Sequence, residues 1–161
     1  MTAEVVVPDE PVNGTIIAQG GAIGGWSFYT SDGKAKFTYN LLGIQTFTTE
    51  AAQPIPAGEH QLRVEFAYDG GGYGKGGTVS LYYDGQQVGE GRVGATQPFI
   101  FSADEGLDIG CETGTTVAPD YDVEGSVFTG QINWVELKVG QDDHTHLVDP
   151  EEHINVLMAR Q

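Results

Sequence analysis

Cysteine occurs once in this chain of 161 residues, at Cys111, so no intrachain disulfide can staple it. At this length one domain buries enough apolar surface to fold without such a staple. Basic residues are also scarce: 7 Lys plus Arg stand against 23 Asp plus Glu, a net charge of −16. A surface that negative repels phosphate backbones, anionic head groups and free sulfate esters, so nucleic acid and acidic membranes are poor partners. Cations are its natural counterpart, whether salt, calcium or a basic protein surface. No apolar run approaches the roughly 20 residues that a bilayer span requires. Residues 1–8 carry neither a basic n-region nor an apolar h-region, which makes the cytoplasm the expected compartment.

What the chain has in quantity is glycine. Its 24 glycines are spread between short β-rich runs rather than gathered in one linker. That spacing predicts strands at 3–7, 15–19, 26–30, 35–40, 45–49, 60–68, 78–83, 87–93, 99–101, 107–109 and 130–139. Leu62, Val64, Phe66 and Tyr68 alternate with Gln61, Arg63 and Glu65, a period of two that sends one set inward. Ile132, Trp134 and Glu136 alternate in the same way with Asn133, Val135 and Leu137, although both sets are partly apolar. Ser31-Asp32-Gly33 and Asp84-Gly85 predict hairpin turns, in which glycine accepts positive φ at no steric cost. Inside helices the same glycines would each cost about 1 kcal/mol. The expected fold is therefore all-β: an antiparallel two-sheet sandwich or jelly roll over residues 1–140. Residues 141–161 are expected to be a linker and one short helix of the same domain. Asp149 suits the N-cap, Pro150 the first helical position, and Glu151 and Glu152 the positive end of the dipole. Ile154, Leu157 and Met158 fall on one face and are the expected partner contact, since so short a helix does not stand alone in water.

Several strings occur together and in order: NGTIIAQGGAIGGWS at 13–27, PAGEHQLRVEFAYDGGGYGKGG at 56–77, QPFIFSADEGLDIGCETG at 97–114, FTGQINWV at 128–135 and the terminal DPEEHINVLMARQ. Over nearly the whole chain this resembles the C-terminal domain of long bacterial arylsulfatases. The resemblance implies a jelly roll of the concanavalin A-like, laminin G-like kind, acting as a non-catalytic accessory domain beside a sulfatase catalytic domain. Sulfatases use a C/S-x-P/A-x-R motif, whose Cys or Ser becomes formylglycine. Cys111 is followed by Glu112-Thr113-Gly114-Thr115, without the Pro or the Arg, so no catalytic residue carries over. Met1 opens the TAEV strand directly, and the expectation is an excised domain, a gene fragment or a free-standing relative.

Candidate sites remain to be weighed. Asp104, Glu105, Asp108 and Glu112 offer oxygen ligands for calcium, but no D-x-D-x-D-G loop is present and turn capping is the stronger reading. No cofactor is required. Asp120, Asp122 and Glu124 resemble the E-x-D-x-E strand of jelly-roll glucanases, yet Pro119 before them and Gly125-Ser126 after them predict a loop. Geometry must come before carboxylate counting, so catalysis there is not the expectation. His144 and His146, beside Asp142 and Asp143, form a weak transition-metal pattern within a polar connector. His60 and His153 read as ordinary strand-edge and helix-surface residues. The run GGGYGKGG at 70–77 lacks the ending of a phosphate loop and predicts a mobile hairpin loop, with Tyr73 and Lys75 as candidate ligand contacts. Among Trp26, Tyr29, Tyr68, Tyr82, Tyr83 and Trp134, rings suited to stacking on sugar, alternation predicts Trp26 and Trp134 in the core. Tyr82 and Tyr83 point to opposite faces and complete the candidate ligand set. The leading expectation is an accessory interaction domain, and the alternative a lectin-like, calcium-assisted carbohydrate-binding module.

Overall fold

The computed structural model describes residues 1–98 and 105–140. They form ten strands: β1 (Thr2–Val7), β2 (Gly14–Gly21), β3 (Gly24–Ser31), β4 (Lys34–Leu41), β5 (Gln45–Glu50), β6 (Gly58–Tyr68), β7 (Gly77–Tyr83), β8 (Gln86–Val93), β9 (Leu107–Ile109) and β10 (Gln131–Glu136). Two five-stranded sheets result, sheet A in the order β10-β1-β6-β7-β8 and sheet B in the order β5-β4-β3-β2-β9. Every pairing is antiparallel. The protein is the expected two-sheet sandwich. Among the described residues no helix is long and apolar enough to cross a membrane. The strand expected at 99–101 and the terminal helix with Ile154, Leu157 and Met158 lie outside the described residues.

Alternation builds the core. In β1 every second residue, Ala3, Val5 and Val7, is buried, and in β7 Val79, Leu81 and Tyr83 are. These face Ile17, Phe28, Phe37 and Tyr39 of sheet B across one continuous apolar cluster. The apolar side of β6 outruns that cluster. Leu62 and Val64 are fully buried, whereas Phe66 and Tyr68, further along the same face, are exposed.

Three hairpins turn through pairs of residues with positive φ, as type I′ turns require. Two were expected: Asp32 at 52° with Gly33 at 74°, and Asp84 at 48° with Gly85 at 83°. The third pairs Leu42 at 56° with Gly43 at 68°, a backbone that a bulky side chain rarely adopts. It carries Leu42 and Ile44 to an exposed tip beside Ile23 of the β2–β3 turn, where Gly43 approaches the Ala22 carbonyl.

Among the described residues the sandwich is closed along one side and open along the other. On the closed side β5 and β8 lean together: the Ala52 amide donates to the Val88 carbonyl at 2.8 Å. A Cβ added at Gly89 would sit 2.7 Å from the Glu50 carbonyl oxygen, so the backbones meet where only glycine fits. On the other side β9 and β10 are edge strands, separated by a groove of about 430 Å³ that includes Ile109, Phe128, Ile132 and Trp134 in its lining.

Candidate functional site: an open sheet face

The outer faces of the two sheets have different fates. That of sheet B is roofed by the connection from β9 to β10. Its row of polar side chains, Thr15, Ser27, Thr38 and Asn40, is buried, together with Tyr29. Glu112, at 2 % exposure, hangs from the roof and accepts from Thr15 Oγ1 at 3.0 Å, Ser27 Oγ at 3.3 Å, the Val117 amide at 2.7 Å and the Tyr121 hydroxyl. Its own amide donates to Ser126 Oγ at 2.9 Å. Further along, Asp120 accepts from the Tyr29 hydroxyl at 2.9 Å and from Lys36 Nζ at 2.8 Å, and Asn40 donates to the Val117 carbonyl at 3.2 Å. Burial pushes the phenols of Tyr29 and Tyr121 well above the ordinary tyrosine value. They stay neutral donors, and the buried carboxylate is fully satisfied. This is a clasp.

The clasp relocates two of the expected sites. Glu112 holds the roof, Glu105 accepts from the Thr115 amide at 2.7 Å and its hydroxyl at 2.6 Å, and Asp108 accepts from the Thr113 amide at 2.9 Å. Each carboxylate thus caps a different turn, while Asp104 lies outside the described residues. Among those residues no three His, Cys, Asp or Glu gather as a metal site. His144, His146 and His153 also lie outside. Asp120, Asp122 and Glu124 occupy a turn rather than a strand, as Pro119 and Gly125 predict. Asp120 and Asp122 edge an open cleft of about 610 Å³ with Asn13, Ser31 and Tyr121, and Glu124 is not in its lining. Asp120 is committed there to Lys36 and Tyr29, and Asp122 caps the Gly125 amide at 2.8 Å.

The outer face of sheet A carries no such roof among the described residues. Register places its side chains in rows, because directly paired residues point the same way. Trp134, Glu4 and Gln61 form one row, and Glu136, Thr2, Arg63 and Tyr82 the next. Val6 lies between Gln131 and Glu59. Gln131 donates its amide to Asn133 Oδ1 at 2.9 Å. Asn133 in turn donates to Glu4 at 3.2 Å and to Glu59 at 3.4 Å. Next to Asn133 and paired with Glu4, Trp134 is 38 % exposed and also lines the groove beside β9.

Trp134 corrects the expectation that it belongs to the core. The pairing of β10 with β1 steps from Glu4↔Trp134 to Val5↔Ile132, leaving Asn133 as a bulge with no partner opposite. A bulge shifts the phase of the alternation. Ile132 and Val135, three apart, both pack on the core, and Trp134 turns outward. The expectation for Trp26 fares better: it is half-buried on the core cluster, stacked on Phe37 at 6.5 Å between centroids.

The expected ligand residues separate. Tyr82 lies on the open face with the Arg63 guanidinium 4.1 Å above its ring. Tyr83 is a correction: it is buried, its hydroxyl accepts from the Ala35 amide at 2.9 Å and donates to the Gln53 carbonyl at 3.2 Å, and no face is left for a ligand. Burial raises its phenol to about 12. Tyr73 and Lys75 sit in the β6–β7 loop, away from both. Within that loop the Tyr68 hydroxyl donates to the Gly72 carbonyl, the Lys75 amide donates back to it at 3.0 Å, and Thr96 Oγ1 donates to the Lys75 carbonyl at 2.7 Å.

No family model matches this chain, and no curated protein matches it.

Proposed function

We propose that the chain is a non-catalytic carbohydrate-recognition module that works through the outer face of sheet A. One observation carries the reading: an exposed tryptophan lies opposite Glu4 and beside hydrogen-bonded amides and carboxylates on a solvent-facing sheet. Sugars present apolar C–H faces that suit an indole and hydroxyls that suit such acceptors and donors. The strand scaffold fixes these groups before a ligand arrives, which lowers the entropic cost of binding. A non-catalytic role is supported by the state of the carboxylates. Glu112 is saturated with donors, Asp120 is ion-paired, and Cys111 has neither the Pro nor the Arg of a sulfatase nucleophile motif.

Affinity electrophoresis through gels carrying soluble β-glucan, galactan or mannan tests the proposal. Retardation in at least one polysaccharide is expected, with at least tenfold weaker binding in Trp134→Ala. Unchanged mobility in all of them would sink it. Turnover of a chromogenic aryl sulfate by the purified chain would refute the non-catalytic part.

A second reading, an accessory domain docked on a sulfatase catalytic domain, is favoured by the apolar groove between β9 and β10 and by the resemblance to arylsulfatase C-terminal regions. It expects the chain to co-sediment with such a catalytic domain, and Ile109→Asp to prevent this. Independent sedimentation of the two would rule it out.

A further inference from the structure

We infer that the open face of sheet A selects uncharged glycans and rejects sulfated or uronic ones. The inference rests on the carbohydrate reading above and specifies its ligand. A sulfate or carboxylate on a sugar needs a cation, or a nest of backbone amides, to replace its water. The described cations on this face are already paired. Arg63 pairs with Glu65 at 3.0 Å while its guanidinium covers the Tyr82 ring. Arg92 grips both oxygens of Asp69, at 2.8 and 2.6 Å, and Lys138 pairs with Glu136 at 3.0 Å.

Beside Trp134 the local field has the opposite sign. Glu4 and Glu59 converge on the one Asn133 amide with no basic partner of their own among the described ion pairs. A third anion brought to Trp134 meets the two carboxylates gathered on its neighbour Asn133, in a molecule that carries −16 overall. A neutral pyranose meets the same carboxylates as acceptors for its hydroxyls, and charge-assisted hydrogen bonds of that kind are the stronger sort. The groups that would repel a sulfated sugar are therefore those that hold an unsulfated one. Selection arises from one set of atoms.

The full chain is applied to a printed array of matched pairs: uncharged β-glucan, galactan and chitin oligosaccharides, each beside its O-sulfated counterpart. Titration calorimetry follows on any pair that binds. The expected result is binding to at least one uncharged member, with its sulfated partner at least tenfold weaker. In the double variant Glu4→Gln, Glu59→Gln that ratio should fall toward one, because the repelling charges are gone while the hydrogen-bonding shape is kept. Both positions are on the surface, so the variant is expected to fold, and its urea midpoint verifies this. Trp134→Tyr should keep the preference at lower affinity. Equal or tighter binding of the sulfated members overturns the inference and leaves the carbohydrate reading standing. Silence across both halves of the array removes the carbohydrate reading, and the inference falls with it. A sulfated-to-neutral ratio unchanged in the double variant refutes the assignment of selectivity to Glu4 and Glu59.

Discussion

Glu112 is the residue on which the roof over sheet B depends. Four donors converge on its carboxylate, two of them from strands β2 and β3 and two from the roof itself. Glu112→Ala leaves these donors buried without an acceptor, and destabilisation of about 3 kcal/mol is expected from the cost of orphaned polar groups. Urea unfolding measures it, and a loss under about 1 kcal/mol would mean that water enters and takes the place of the carboxylate. Three phenols raised by desolvation give a pH prediction. Tyr29, Tyr83 and Tyr121 all have folded-state values above the ordinary 10.0. The folded chain therefore keeps its phenolic protons where the unfolded chain releases them. Their contribution to stability is whole below about pH 10 and declines above it, as linkage requires. Melting temperature followed from pH 8 to pH 11 should hold level and then drop, and a flat profile throughout would contradict their burial. At these positions the sequence is nearly mute. Tyr29 sits in an alternating strand like any core aromatic, and the Glu112 that caps its roof comes from a segment whose acidic residues read as ordinary turns.

The elements themselves were far more legible. Glycine-bounded alternation located the strands, and Asp-Gly at 32–33 and 84–85 located two of the tight hairpins, because those residues accept positive φ. Leu42-Gly43 escaped the same rule, since leucine carries no turn signal and is held at the tip by the pairing of β4 with β5. The bulge at Asn133 escaped for a related reason. A single extra residue leaves no compositional trace, yet it inverts the side of every residue beyond it, and so simple alternation assigns the exposed Trp134 to the core. The closed side of the sandwich rests on another feature without a periodic signature, the glycines of β8. A Cβ at Gly91 would lie 2.2 Å from Thr49 Oγ1. Gly91→Ala should cost about 1–3 kcal/mol by overpacking. Thr49→Ala in the same chain should recover part of that loss, the signature of a direct clash. Additive losses in that pair of substitutions would show that the two strands do not meet there.

For the molecule as a whole, charge and layering pull against each other. With 23 acidic and 7 basic residues on so small a body, self-repulsion opposes the compact state. Salt shortens the reach of that repulsion from about 30 Å at 0.01 M to about 3 Å at 1 M. The melting temperature should accordingly rise by several degrees between those two conditions, and a fall would place the dominant charge effect in attractive ion pairs instead. The layering has a consequence for self-association. Strands polymerise when a molecule offers a bare rim at both ends, since each newcomer then brings a fresh rim to the next. Among the described residues β5 and β8 are folded against one another, and the unpaired rims of β9 and β10 share a single flank. A strand added at that flank leaves no described rim for a third chain to extend, so edge-to-edge growth is expected to stop at a pair, by geometry and before electrostatics is called upon.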